Sequence, residues 1–191
     1  MATWVFGYGS LVNRASLATT LGHMTTVGTD VFVATLHGYR RTWNATMGNL
    51  HDDLTDKYYV DAAGQRPDLG VTALGITATP DEAIGGVIFR VSGAQIARFD
   101  LRERRYDRID VTSSVQSDAL MESDDAIVTY APSAAALRTH SQHLAKGTVV
   151  SARSYVQTIA DGFGEMDTAE LARFQAELTP PQHDLMVVYP N

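Results

Sequence analysis

Glu103 stands in the densest run of charge in the chain, Asp100-Leu101-Arg102-Glu103-Arg104-Arg105-Tyr106-Asp107-Arg108. The surrounding arginines favour its ionised form, while burial beside an apolar helix would oppose them. A carboxyl group under such opposed influences suits proton transfer. Ninety residues upstream, Val5-Phe6-Gly7-Tyr8-Gly9-Ser10-Leu11-Val12 reads as a buried strand running into a glycine loop. Gly7 and Gly9 are expected to turn through positive φ and bring bare N–H groups up to a ligand, and Ser10 to cap a following helix. Such N–H groups attract a carboxylate, a phosphate or a developing oxyanion. Each stretch also has a plain structural reading: a solvated helix end with local ion pairs, and a tight turn that binds nothing.

Other chemistries find less support. A dinucleotide-binding loop would need a third glycine where Val12 stands, and Asp30, the acidic residue at the usual distance, begins a strand rather than ending one. A serine hydrolase using Ser10 lacks the Gly-x-Ser-x-Gly elbow for the same reason, Val12. His140 and His143 share a helix face, but no third ligand for a metal is evident. The chain has no cysteine, which removes disulfides, thiolate nucleophiles and metal–thiolate sites. No metal and no cofactor are expected.

The 191 residues suit a single domain spanning 1–191, with 45% hydrophobic and 19% charged residues. A net charge of −7 gives no support to a nucleic-acid or anionic-membrane partner. There is no leader pattern and no apolar run approaching the roughly 18 residues of a membrane span. A cytoplasmic location is the expectation, and the oligomeric state is left open.

The elements that must position Glu103 and the glycine loop read as an α+β layout. A helix is expected over Asn13–Leu21, ending at Gly22. Strands follow at Val31–Leu36 and, after a break at His37-Gly38, at Tyr39–Asn44 with its cationic side chains outward. The polar composition of residues 45–70 reads as a lid or insertion, ordered only at Lys57-Tyr58-Tyr59-Val60. Val71–Ala78 is a strand closed by Pro80-Asp81-Glu82, and Val87–Val91 is another. Ser92 caps a helix over Gly93–Arg102. Short strands at Ile109–Val115 and Ala126–Tyr130 precede three helices, Ser133–Ala145, Ser154–Asp161 and Thr168–Leu178, and a terminal strand at Leu185–Tyr189.

Taken in order, the glycine loop, the strand Gly86-Val87-Ile88-Phe89 and the segment Asp100-Leu101-Arg102-Glu103-x-x-Tyr106-x-Arg108 resemble the γ-glutamylcyclotransferase-like family. Ser151-Ala152-Arg153-Ser154-Tyr155 is similar to that family's late helix start. The resemblance implies a small mixed β-barrel with peripheral helices and a cavity at one end. It implies that Gly7, Tyr8, Gly9, Ser10 and Leu11 cradle a small-molecule γ-glutamyl substrate, with Glu103 as catalytic acid/base and Tyr106 as a hydrogen-bond partner. The implied reaction is intramolecular aminolysis, releasing 5-oxoproline and an amine or amino acid. Two departures are evident: residues 45–70 match no segment of the family, and the glutathione-specific branch's tryptophan is missing from Gly86-Val87-Ile88-Phe89-Arg90. The alternative on the same fold is a module that binds a small carboxylate or a partner without turnover.

Overall fold

Two long antiparallel strands frame the protein, whose computed structural model describes residues 2–190. A short strand β1 (Thr3–Gly7) leads through a 3-10 turn, Ser10–Val12, into helix α1 (Arg14–Leu21). Asn13, not Ser10, caps α1: its side chain accepts from the Ser16 N–H, and Gly22 closes the helix in the left-handed region. Strand β2 (Val31–Gly48) then runs without interruption through the expected break. Gly38, at φ 80°, lies where the register slips from His37–Ala83 to Tyr39–Ala78, the extra residues bulging from the partner strand, so the break is absorbed inside one strand. After the short strand β3 (Tyr58–Val60), β4 (Gly70–Val91) likewise passes through Pro80 and Asp81 as a single element. Of residues 45–70, the first four therefore continue β2 and Gly70 opens β4.

Helix α2 (Gly93–Arg102) starts with a reciprocal capping box between Ser92 and Gln95. It is followed by β5 (Tyr106–Asp110), β6 (Val115–Ser117) and β7 (Ala126–Pro132). Then come α3 (Ala134–Lys146), β8 (Val149–Ala152), α4 (Arg153–Met166), α5 (Thr168–Ala176), β9 (Gln182–His183) and β10 (Met186–Val188). The main sheet runs β5-β7-β1-β4-β2-β6, with β8 beside β4 and β9 beside β8. It is mixed: β1–β7, β4–β8 and β8–β9 are parallel, the remaining ladders antiparallel. A second sheet pairs β10 with β3.

The expected barrel is not closed by hydrogen bonds, because no ladder joins edge strands β5 and β6 among the described residues. These two edges are nevertheless consecutive in the chain, Asp110 leading to Val115, and five extended steps span at most about 17 Å. The sheet is therefore rolled, and a 3-10 turn at Thr112–Ser114 bridges the seam where a ladder would close a barrel. Inside lies one large apolar cluster with Phe6, Ile88, Phe89 and Phe99 of the sheet and α2 packed against Leu17, Ile159 and Phe163 of the helices. Each such side chain contributes about 1.5–3 kcal/mol when fully buried. Gly162 lets α4 lie directly on the end of the 3-10 turn, since a Cβ there would come within 2.6 Å of the Asn13 nitrogen.

A candidate active site where the glycine loop meets Glu103

Gly7 ends β1 against Val87 of β4, so the sheet fixes where the loop begins. Neither Gly7 nor Gly9 adopts positive φ; Gly9 sits at φ −114°. What the loop requires is room. A Cβ on Gly7 would lie 2.6 Å from the Leu11 Cβ, and one on Gly9 would lie 3.1 Å from the Tyr155 hydroxyl. The loop is thus folded tightly on itself, with Tyr8 and Leu11 buried. No side chain caps the 3-10 turn that follows. The N–H groups of Ser10 and Leu11, at its start, have no acceptor within the turn.

Glu103 terminates α2, its N–H donating to the Phe99 carbonyl. Arg102 draws it to the loop. The Arg102 Nε stands 3.0 Å from Glu103 Oε1, while Nη2 donates to the Ser10 and Ser16 hydroxyls, both at 3.0 Å. Nη1 binds the Ser16 carbonyl at 2.8 Å and the Thr20 hydroxyl at 2.9 Å. One guanidinium therefore ties the loop, α1 and the carboxyl group together. Burial pushes the Glu103 carboxyl above the usual carboxylate range, against the opposing charges of Arg102 and Lys57.

Tyr8, Tyr106, Tyr130 and Tyr155 complete the wall. Tyr106 donates to the Leu74 carbonyl at 2.8 Å, and Tyr155 accepts from the Leu74 N–H at 3.3 Å. Leu74 is the β4 residue that the β2–β4 ladder skips, opposite Trp43 and Asn44, where pairing jumps from Thr42–Gly75 to Ala45–Ala73. Two phenols thus satisfy the peptide groups that the bulge leaves unpaired. Tyr8 donates to the Tyr130 carbonyl, and Tyr130 to Asp100 Oδ1 at 2.8 Å. Burial raises all four phenol pKa values, so these groups stay neutral hydrogen-bonding walls.

Gly7, Tyr8, Gly9, Ser10, Leu11, Glu103 and Tyr106 line one cavity of about 30 Å³, together with Leu74, Tyr130 and Tyr155. That is room for a carboxylate or carbonyl group. Ser10, Glu103, Tyr106 and Tyr155 also border a wider cleft of about 730 Å³. All seven residues singled out in the sequence therefore meet at one place. Tyr155 was visible there only as a helix start, and Lys57 only as an ordered patch, yet both face the cleft. No local pattern could have placed Lys57, whose segment depends on β3 pairing with the distant β10, whereas Tyr155 carried a local signal in that helix start.

Other sequence expectations fare differently. Arg41, expected outward, is buried at 3% side-chain exposure and paired with Glu170 and Glu177. The His140 and His143 rings engage Thr46 and Thr148 separately, at 2.9 and 2.8 Å. Among the described residues, no helix is long and apolar enough to cross a membrane.

Neither a protein-family model nor a curated protein sequence matches the chain. Solved structures do match. One titled γ-glutamyl cyclotransferase superposes over 94% of this chain and 89% of its own, with a TM-score of 0.60 at 12% identity. A γ-glutamyl cyclotransferase specific to glutathione from yeast matches 91% of this chain and 96% of its own, at TM-score 0.57 and 12% identity. An uncharacterized protein from Homo sapiens matches 92% and 88%, at TM-score 0.56 and 13% identity. With nearly the whole length superposed, the mixed α+β fold of this chain is that of the γ-glutamyl cyclotransferases.

Proposed function

We propose that the protein is a γ-glutamyl cyclotransferase, which closes the γ-glutamyl group of an amide into 5-oxoproline and releases the amine or amino acid. The observation that carries this is the shared cavity, with the N–H-bearing loop Gly7–Leu11 on one wall and the Glu103 carboxyl on another.

The α-amino nitrogen of the substrate attacks its own γ-carbonyl carbon, forming the ring C–N bond, and the amide C–N bond then breaks. Nucleophile and electrophile belong to one molecule, so the main demand on the site is orientation. Well-aligned ring closures supply on the order of 7–11 kcal/mol. Two protons leave the attacking nitrogen and two arrive on the departing one, so no water is consumed. Glu103 takes up a proton and returns it, finishing as it began. Its raised affinity for protons brings it closer to the ammonium it must relieve. N–H groups at Ser10 and Leu11 stabilise the tetrahedral oxyanion, where one such donor is worth about 3–4 kcal/mol.

The test is release of 5-oxoproline from a panel of γ-glutamyl amides by the wild type and by Glu103→Gln. The substitution keeps the shape and removes the base, so kcat falls by roughly 10²-fold or more. Equal rates would remove Glu103 from catalysis. Binding of these amides with no 5-oxoproline released would favour the carboxylate-binding module instead.

A further inference from the structure

Lys57 comes from the segment between β2 and β4 that matches no part of the family pattern. It is fixed from both sides. On one side, Arg105 gathers the preceding turn: it donates to Asp52 and Asp56 carboxylates and to the Leu54 carbonyl at 3.1 Å. On the other, the Asn49 side chain accepts from the Tyr59 N–H at 2.7 Å and donates to the Tyr59 carbonyl at 2.9 Å, while β3 pairs with β10. Lys57 is therefore held against the cleft rather than trailing into solvent.

No carboxylate of the described residues is close enough to pair with it there, although Asp56 and Glu103 act on it from a distance. Among the described residues Lys57 makes no ion pair and no hydrogen bond, although it is partly buried. Its neighbour Asp56 is taken by Arg105 at 2.7 Å and Arg104 at 3.5 Å. Glu103 is taken by Arg102 at 3.0 Å. A half-buried ammonium with no partner is costly and is relieved by an anion. The cleft wall as a whole leans the same way. Five cationic side chains, Lys57 and Arg98 with the three arginines just named, line the cleft with two carboxylates, Asp56 and Glu103, a third, Asp52, reaching Arg105 from behind, in a chain of net charge −7. Lys57 lines the outer cleft but not the inner cavity between the loop and Glu103. What it meets is the half of a ligand that projects outward.

We propose that Lys57 binds a carboxylate on the departing half of the substrate, so that the cleft favours γ-glutamyl compounds that release an anionic amino acid over those that release an uncharged amine. This rests on the cyclotransferase reading and narrows its substrate class.

The experiment compares γ-glutamyl-alanine with γ-glutamyl-alaninamide, which differ in the leaving-group carboxylate alone. The wild type should favour the carboxylate form by about tenfold or more in kcat/KM, mainly through KM, as befits one charge-assisted contact. Compared on the pH plateau, Lys57→Met, which keeps the aliphatic stem, should lower kcat/KM for γ-glutamyl-alanine much more than for the alaninamide and so abolish that preference. Lys57→Arg should restore most of it. No preference in the wild type, or a preference surviving in Lys57→Met, overturns the assignment. If the wild type turns over neither compound, the cyclotransferase reading fails, and calorimetric binding of the same pair decides the role of Lys57. Tighter binding of γ-glutamyl-alanine that is lost in Lys57→Met sustains the subsite; equal affinities for the two compounds in the wild type refute it.

Discussion

The protein buries two clusters of arginine and glutamate, and they are built to opposite ends. Behind the sheet, Arg41 of β2 reaches Glu170 of α5 at 2.5 Å and Glu177 at 2.5 Å, and donates to the Gly85 carbonyl at 3.2 Å. Glu170 also accepts from the Gly85 N–H at 3.1 Å and from Arg173 at 3.1 Å. Phe163 covers the Arg41 guanidinium at 5.4 Å. Each of the two central charges has its partners, and their side chains are 2–3% exposed. At the cleft, Glu103 has one paired oxygen, a side chain 15% exposed and a cavity in front of it. The closed cluster pins α5 to the sheet and offers nothing to a ligand. The open one carries a carboxyl group under opposing influences, as proton transfer requires.

The contrast can be tested in order of expected size. Arg41→Met leaves Glu170 buried without its main partner and should cost about 3–5 kcal/mol of stability. Denaturant melts should show that loss, while KM for a γ-glutamyl amide, measured where the variant is folded, stays near the wild-type value. A raised KM would mean that the two clusters are coupled. Glu103→Gln should behave in the converse way, with kcat down roughly 10²-fold and stability changed by less than about 1 kcal/mol. A large loss of stability would make Glu103 a structural partner of Arg102. Tyr155→Phe strands the Leu74 N–H and should destabilise by about 1–3 kcal/mol. An unchanged melt would show that the bulge is satisfied in another way.

The smallest effect is a pH shift. Burial raises the Glu103 pKa, whereas Arg102 and Lys57 lower it. The acidic limb of kcat/KM should therefore lie above the ordinary carboxylate range. Lys57→Met removes a positive neighbour, makes the ionised form harder to reach and should move that limb further up. A limb that stays put or moves down would separate Lys57 from Glu103 electrostatically.

Local chemistry made much of this legible. The Ser92 cap and the Gly22 helix end follow from contacts within a few residues, whereas of the apolar side expected on α2 only Phe99 is buried and Leu101 is exposed. The site residues could be picked out because a short loop and a charged helix end carry distinctive residue types. Long-range pairing was not legible. Pro80 and Gly38 look like strand breakers in one dimension, yet each sits in a strand that its partner holds on both sides. Arg41 reads as a surface cation because its countercharge lies on a helix far along the chain. Lys57 and Tyr155 gained meaning only when β3 found β10 and α4 settled on the glycine loop.

The small β3–β10 sheet has a bearing on how the protein is made. Among the described residues, strand β3 has no ladder partner besides β10, while β1, β2 and β4 pair among themselves much earlier in the sequence. On a ribosome, the frame can therefore assemble while the cleft still lacks a side. A nascent chain arrested before Met186 would hold Glu103 and the glycine loop in place, but the segment carrying Lys57 would rest on its Asn49 and Arg105 contacts alone. The wall of the cleft that β10 supplies would then be the last part of the molecule to settle.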